Sequence, residues 1–407
     1  MPKATDELIS VEEAQRRALA PVRPLGPERV AVAAALGRVL AEDVVSPGDV
    51  PPHDNSAMDG YAVRTADAVD GATLRVVGEV AAGQVATRAL TAGEAYRIMT
   101  GAPIPPGADA VLMQEHAERA GDAVTVRRNV KLRDHIRDRG EDVRAGEVVL
   151  RRGVELRAAE IGTLAAARRA RVAVTRRPIV AILSTGDELC DVDQPLDPGA
   201  IAETNSYTLA ALAQQAGAEP RVLPAVRDDR AALAAAINEA RRADLIVSSG
   251  GVSVGEHDHV KAVLDSLGAA LTAWRVDMKP GKPVALAVLD GTPYYGLPGN
   301  PVSSMVAFTL FVRPAIRAAL GCPQPIDLPH AFVRLEAALA TRGERRQYLR
   351  ARVRLVDGRL VATPMPRQGS GVLSSMLGAN ALLVVDAGAH QFDAGAEAVA
   401  LLIGPLS

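Results

Sequence analysis

From residue 178 onward, short continuous apolar runs alternate with longer stretches of helical spacing. Strand-like runs fall at 179–183, 220–226, 244–247, 284–289 and 293–295, and helical ones at 205–216, 230–242, 258–267 and 302–320. Strand–helix alternation of this kind predicts a parallel sheet with helices on both faces. Residues 72–150 read differently. Short strands at 74–80, 95–99, 110–115, 123–127 and 148–150 are separated by Gly and Pro turns, which predicts a small β-rich domain. Residues 327–407 return to strands at 331–335, 348–356, 360–364, 381–385 and 398–403, a barrel or sandwich. Near the start, Ser10-Val11-Glu12-Glu13 forms a capping box that predicts a helix over 11–20. Short mixed elements follow at 28–50, a Pro-bounded break at 47–52, a helix at 155–167 and a strand or linker at 168–177.

At 407 residues, three or four domains are expected. Hydrophobic residues make up 48% of the chain but aromatics only 3%, so aliphatic side chains must fill the cores. A formal net charge of −2, with no aromatic interleaving among basic runs, argues against a nucleic-acid partner. The basic runs 127–139 and 168–177 are broken by acidic or apolar residues and read first as solvated faces, with anion-binding surfaces as the second reading. Two cysteines, Cys190 and Cys322, form neither a close pair nor a zinc pattern, as expected of a reducing cytosol. The N-terminus lacks the basic-then-apolar order of a signal peptide, and no apolar run is expected to cross a membrane.

Three loops carry candidate chemistry. Ser249-Gly250-Gly251-Val252-Ser253-Val254-Gly255-Glu256-His257-Asp258 lies between a strand and a helix. Small residues there let backbone N–H groups approach a phosphate, and the helix start adds positive partial charge. Asp258 at that helix start repels a phosphate unless a cation lies between them, although Asp is also an ordinary N-cap. The second loop is Met278-Lys279-Pro280-Gly281-Lys282-Pro283. The chain has five lysines among 46 Lys and Arg, and two of the five stand here. Lysine is a compact point charge suited to a small oxyanion, where arginine is a wide fork; exposed turn lysines are the plain alternative. The third is Leu297-Pro298-Gly299-Asn300-Pro301-Val302-Ser303, where Asn300 reads as N-cap and Pro301 as the first helical residue. All three loops follow predicted strands, and open α/β sheets bind ligands at the carboxyl ends of their strands.

Seven collinear blocks carry a resemblance across nearly the whole chain: PPHDNSAMDGYAVR (51–64), RIMTGAPIPPGADAVLMQE (97–115), RGEDVRAGE (139–147), STGDEL (184–189), SSGGVSVGEHDH (248–259), KPGKP (279–283) and LPGNPVSS (297–304). The chain resembles the molybdopterin molybdenumtransferase family, MoeA in bacteria, and is also similar to the E domain of gephyrin. That resemblance implies a multidomain α/β plus β fold. A central parallel-sheet α/β domain (178–326) is flanked by an elongated N-terminal domain (1–50 and 140–177), which carries an inserted β-rich domain (51–139), and by a C-terminal β-barrel (327–407).

The resemblance further implies a cytoplasmic enzyme that inserts molybdate into adenylylated molybdopterin, with Mg²⁺-dependent release of AMP. Soft sulfur donors for molybdenum would then come from the ligand, since the protein offers no thiolate pair. Carried over position by position, Asp59, Thr100 and Asp142 would lie near the pterin, with Glu188 and Asp228 among the catalytic acids. Gly186, Asn205, Gly250, Gly251, Ser253, Gly255, Arg275, Lys279, Lys282, Pro298, Pro301 and Ser303 would bind nucleotide, phosphate or molybdate. Asp258, Glu188 and Asp228 are the candidate Mg²⁺ ligands. Arg350, Arg367 and Ser370 would reach the pterin phosphate across a dimer interface. The implied partners are a second copy of the chain and a molybdopterin adenylyltransferase, with no nucleic acid and no membrane. Taken singly, each residue has a plainer reading as turn, cap or surface acid. The competing functions are a molybdopterin adenylyltransferase, whose α/β domain usually stands alone, and a gephyrin-like scaffold. A dinucleotide fold is disfavoured because GGVSVG is not GxGxxG.

Overall fold

A seven-stranded sheet organises the larger of the two units into which the chain divides. The computed structural model describes residues 8–252, 259–323 and 326–406. The larger unit comprises residues up to Glu28, Gly37–Val39 and everything from Val174 on; the smaller comprises Arg29–Leu36 and Leu40–Ala173.

In the larger unit the strand order is Leu8–Ile9, Ala270–Val276, Pro283–Leu289, Thr292–Leu297, Leu245–Ser249, Ile179–Ser184, Glu219–Val222. The last four run parallel, as the strand–helix alternation predicts. The sheet then turns mixed. Asp290 and Gly291, both at positive φ, close a hairpin between Pro283–Leu289 and Thr292–Leu297. An Asp-Gly pair at positive φ is the turn that matches the twist of two antiparallel strands. The segment Leu8–Ile9, expected with the elongated N-terminal domain, instead lies parallel to Arg275–Val276 at the sheet's edge.

Alternate side chains of each strand enter opposite cores. Val180, Ile182, Leu245 and Val247 pack on one face with helices Val11–Leu19, Asn205–Ala216 and the helical run Pro301–Ala319; Ala181, Leu183 and Ile246 pack on the other with Arg230–Ala240 and His259–Ser266. Ser10 caps the first helix, its Oγ accepting the Glu13 N–H at 3.1 Å, while the Glu13 carboxylate turns to Arg16 and Arg17. The run Pro301–Ala319 widens into a π turn at Phe308–Val312, just before Pro314, which has no N–H to donate one turn back. Contrary to the expectation from sequence, this run of 19 residues, with mean hydropathy 1.3, is long and apolar enough to cross a membrane; 72% of it is buried in the core.

The C-terminal strands close on themselves. Arg346–Val356, Arg359–Pro364, His330–Leu335, Glu397–Leu402 and Ala381–Val385 pair in sequence around a ring, and the last returns to the first. This is the expected barrel, filled by Val333, Leu335, Ala351, Val353, Leu383 and Ala400. Met278–Lys279 adds parallel to Arg346–Gln347, which seats the lysine-bearing loop against the barrel.

The smaller unit contains a six-stranded sheet, Ala110–Met113, Gly60–Val63, Glu94–Ile98, Thr73–Val80, Ala123–Val126, Ala117–Ala120. Its most heavily bonded acid is the buried Glu94. That carboxylate accepts from Arg88 at 2.8 and 2.9 Å, Thr91 Oγ1 at 2.7 Å and Arg75 at 2.6 Å. These bonds, Arg88 first, hold its carboxyl far below the usual carboxylate range. A depressed folded-state value means that the stability Glu94 supplies is present above its ordinary value of 4.5 and is lost as pH falls below it. Melting curves from pH 7 downward are expected to show the smaller unit losing stability below that value. Glu94→Gln should lower the melting temperature at pH 7 and remove part of the acid dependence; an unchanged profile would show that Glu94 contributes nothing.

Candidate active site

The carboxyl ends of Ile179–Ser184, Leu245–Ser249 and Thr292–Leu297 open into a cleft of about 880 Å³ that the barrel strand Arg346–Val356 also lines. One asparagine ties its loops together. Asn205 Nδ2 donates to Ser249 Oγ at 2.8 Å and to the Gly299 carbonyl at 2.7 Å. Asn205 is itself fixed by Glu203, a buried carboxylate that accepts the Asn205 and Ser206 N–H groups and the Ser184 hydroxyl, each at 2.9 Å, and the Ser206 hydroxyl. Gly250 lets the glycine turn pass close by. Its φ is +91°, and a Cβ there would stand 2.5 Å from the Thr185 carbonyl oxygen.

The cleft is also lined by cations. Lys279, Lys282, Arg345 and Arg350 line it, together with Ser303, Ser370, Pro298 and Pro301. Arg350 is 1% exposed. Its guanidinium donates to Ser375 Oγ at 3.2 Å and to the carbonyls of Arg367 and Gly369 at 3.3 and 3.1 Å. Among the described residues no carboxylate pairs with it. Burial pushes its pKa down from the ordinary arginine value. A buried cation held only by neutral acceptors is costly unless an anion arrives.

Glu188 and Asp228 face the same cleft from its rim. Among the described residues no group of three His, Cys, Asp or Glu side chains gathers for a metal. Asp258, Ser253 and Gly255 lie outside the described residues.

The cleft therefore brings together Gly186, Glu188, Asn205, Asp228, Gly250, Gly251, Lys279, Lys282, Pro298, Pro301, Ser303, Arg350 and Ser370. Arg350 and Ser370 stand beside the lysines of their own chain, where the expectation was a reach across a dimer interface. Arg275, on strand Ala270–Val276, and Arg367, exposed, are not among its lining residues; Arg367 contributes its carbonyl to Arg350. In the smaller unit, Asp59 accepts both the N–H and the hydroxyl of Thr100 at 2.7 Å, and these bonds hold its carboxyl below the usual range. Asp142 lies elsewhere in that unit, on a cavity of about 260 Å³ with Ser46 and Thr163. Sequence reasoning missed Glu203, Thr185, Arg345 and Gln347. Glu203 gave no usable signal, because Thr204 reads as the N-cap and only the structure shows that its side chain caps nothing.

The family description "MoeA N-terminal region (domain I and II)" matches residues 9–167, "Probable molybdopterin binding domain" matches 181–318 and "MoeA C-terminal region (domain IV)" matches 333–403. The chain is 41% identical to a molybdopterin molybdenumtransferase of Nostoc sp., over 90% of its own length and 87% of that protein's. It is 39% identical to molybdopterin molybdenumtransferase 2 of Mycobacterium tuberculosis, over 95% and 98%. The crystal structure of a molybdopterin biosynthesis moeA protein from Pyrococcus horikoshii superposes with a TM-score of 0.83 at 32% identity, covering 97% of this chain and all of that one.

Proposed function

The chain belongs to the molybdopterin molybdenumtransferase family and is a transferase of molybdenum cofactor biosynthesis; from that premise we propose that its cleft takes adenylylated molybdopterin and molybdate, leaves molybdenum on the pterin dithiolene and releases AMP. The observation that carries this reading is the pairing, in one cleft, of cations that no carboxylate among the described residues neutralises with an acidic rim. Lys279 and Lys282 supply point charges for a small tetrahedral dianion. The Arg350 fork faces a phosphate, for which planar bidentate donors are suited. The Gly250-Gly251 turn brings backbone close to the other end of the ligand.

Hard oxygen donors on the rim fit Mg²⁺, which takes one or two carboxylates and completes its shell with water and substrate phosphate oxygens. Glu188 and Asp228 would hold it, with Asp258 the third candidate. Bound there, it would neutralise the adenylyl phosphate and withdraw charge from it. The functional assembly would be a homodimer in which Asp59, Thr100 and Asp142 of one copy serve the cleft of the other. A molybdopterin adenylyltransferase would hand over the nucleotide. A light-scattering mass of one chain at micromolar concentration would remove the dimer from this reading.

The test is mass spectrometry of the purified chain incubated with adenylylated molybdopterin, molybdate and Mg²⁺. AMP and molybdenum-loaded molybdopterin are the expected products, and their absence would sink the proposal. Lys279→Ala should raise the molybdate requirement by about tenfold or more, because a charge-assisted hydrogen bond contributes about 1.5–3 kcal/mol. Nucleotide binding should change less. An unchanged molybdate dependence would take Lys279 out of the site.

A further inference from the structure

Two polar atoms on the wall of the cleft around Ser249 are buried yet bonded to nothing among the described residues: Asn205 Oδ1 and Thr185 Oγ1. Their residues are 9% and 6% exposed. Both residues are anchored through the same neighbour. The Thr185 N–H donates to the Ser249 carbonyl at 2.9 Å, and Asn205 Nδ2 donates to the Ser249 hydroxyl at 2.8 Å. The orientation of the Asn205 amide is not arbitrary. The atom 2.7 Å from the Gly299 carbonyl must be the donor, because a carbonyl only accepts, so the unpaired atom is the oxygen. The Thr185 hydroxyl faces the glycine turn, 3.0 Å from where a Cβ on Gly250 or Gly251 would stand.

Buried polar groups are nearly always paired, and leaving one unpaired costs free energy. Chemistry narrows what would pair these. Asn205 Oδ1 only accepts, so its partner carries an O–H or N–H. Thr185 Oγ1 can give or receive. Neither carries a charge, unlike Lys279, Lys282 and Arg350, and a group that satisfies both atoms must be able to donate to the Asn205 oxygen. We propose that Asn205 and Thr185 are a specificity-determining pair that takes a neutral hydrogen-bonding group, a hydroxyl or an amine, on the organic substrate. This rests on the reading of the cleft given above and adds to it a second, uncharged recognition point. Both ends of adenylylated molybdopterin, ribose and adenine on one side and pterin on the other, carry such groups.

Thr185→Val is the decisive variant, because it keeps the shape and removes only the hydroxyl. Among the described residues that hydroxyl makes no bond to lose. The melting temperature without ligand should therefore stay level or rise, while the dissociation constant for adenylylated molybdopterin rises about three- to tenfold, the worth of one hydrogen bond. Thr185→Ser should restore binding. Molybdate alone, measured by equilibrium dialysis, should bind both variants as it binds the parent. AMP separates the two sources: weaker AMP binding by Thr185→Val assigns the pair to the nucleotide end, and unchanged AMP binding with weaker adenylylated molybdopterin assigns it to the pterin end. Equal binding of both ligands by parent and Thr185→Val would overturn the proposal. So would a melting temperature lowered by several degrees with binding intact, since the hydroxyl would then be structural. A parent chain that binds none of these ligands would sink the underlying reading instead.

Discussion

Arg350→Met is expected to leave the fold standing and to strip the cleft of its grip on the substrate's phosphate. The side chain is 1% exposed, and among the described residues its guanidinium meets only the Ser375 hydroxyl and the carbonyls of Arg367 and Gly369. Two effects on stability oppose each other. Removing the guanidinium relieves a desolvation cost of several kcal/mol that no counter-charge offsets. It also leaves the Arg367 carbonyl and the Ser375 oxygen without their donor, at about 1–3 kcal/mol each, while the Gly369 carbonyl keeps the Val372 N–H at 3.3 Å. Methionine fills a similar volume, so no large cavity adds to the balance. The ligand-free melting temperature should consequently move little. Binding has no such compensation. A phosphate entering a site built around a buried fork gains a charge-assisted pair, and losing it should weaken adenylylated molybdopterin about 100-fold or more, equivalent to about 3 kcal/mol. Arg350→Lys, which keeps the charge but not the fork, should fall between parent and Met. Calorimetric titration with thermal melting decides the matter. A Met variant that melts far lower yet binds normally would make Arg350 a structural cross-link of the barrel.

The contrast between what the sequence revealed and what it hid follows physical lines. Helix Asn205–Ala216 and strands Val148–Leu150 and Ala381–Val385 lie where the apolar pattern puts them, because periodicity and flanking breakers are local signals. The loops at Gly250, Lys279 and Pro298 were legible for the same reason, and the cleft does gather them. What the pattern hid depends on pairing between distant segments. Strand Ala270–Val276 reads ALTAWRV, and nothing local announces that it pairs with Leu8–Ile9 on one side and Pro283–Leu289 on the other. Asp290-Gly291 was a hairpin signal in plain view, but βα alternation made parallel strands the expected pattern. Thr185 is inside the STGDEL block and Gln347 is in none, yet neither side chain stands out in the sequence, because an unpaired buried atom is defined by what surrounds it. Glu203 looked like one acid in an acidic loop until folding placed four donors around it.

Gly250→Ala is expected to be the most damaging single-methyl change in the cleft, and Gly291→Ala its control. Both glycines hold similar left-handed backbone, φ +91° and +87°. A side chain in that region costs about 1–2 kcal/mol wherever it occurs. At Gly291 nothing lies within 4 Å of the new Cβ, so that conformational cost should be the whole effect. At Gly250 the Cβ would meet the Thr185 carbonyl oxygen at 2.5 Å and the Thr185 hydroxyl at 3.0 Å. The carbonyl is backbone, at the end of a central strand, and cannot swing aside as a long side chain would. Overpacking against a fixed atom adds about 1–3 kcal/mol. The chain's cheapest relief is to push the glycine turn outward, away from Ser249 and Thr185. That movement would break the 3.1 Å bond from the Gly250 N–H to the Leu297 carbonyl and spread the strand ends that Asn205 ties together. Denaturant unfolding should thus show Gly250→Ala losing about twice the stability that Gly291→Ala loses. Adenylylated molybdopterin binding should fall sharply in the first and stay near normal in the second. Equal stability losses in the two variants, with binding intact in both, would show that the turn at Gly250 has room the geometry denies it.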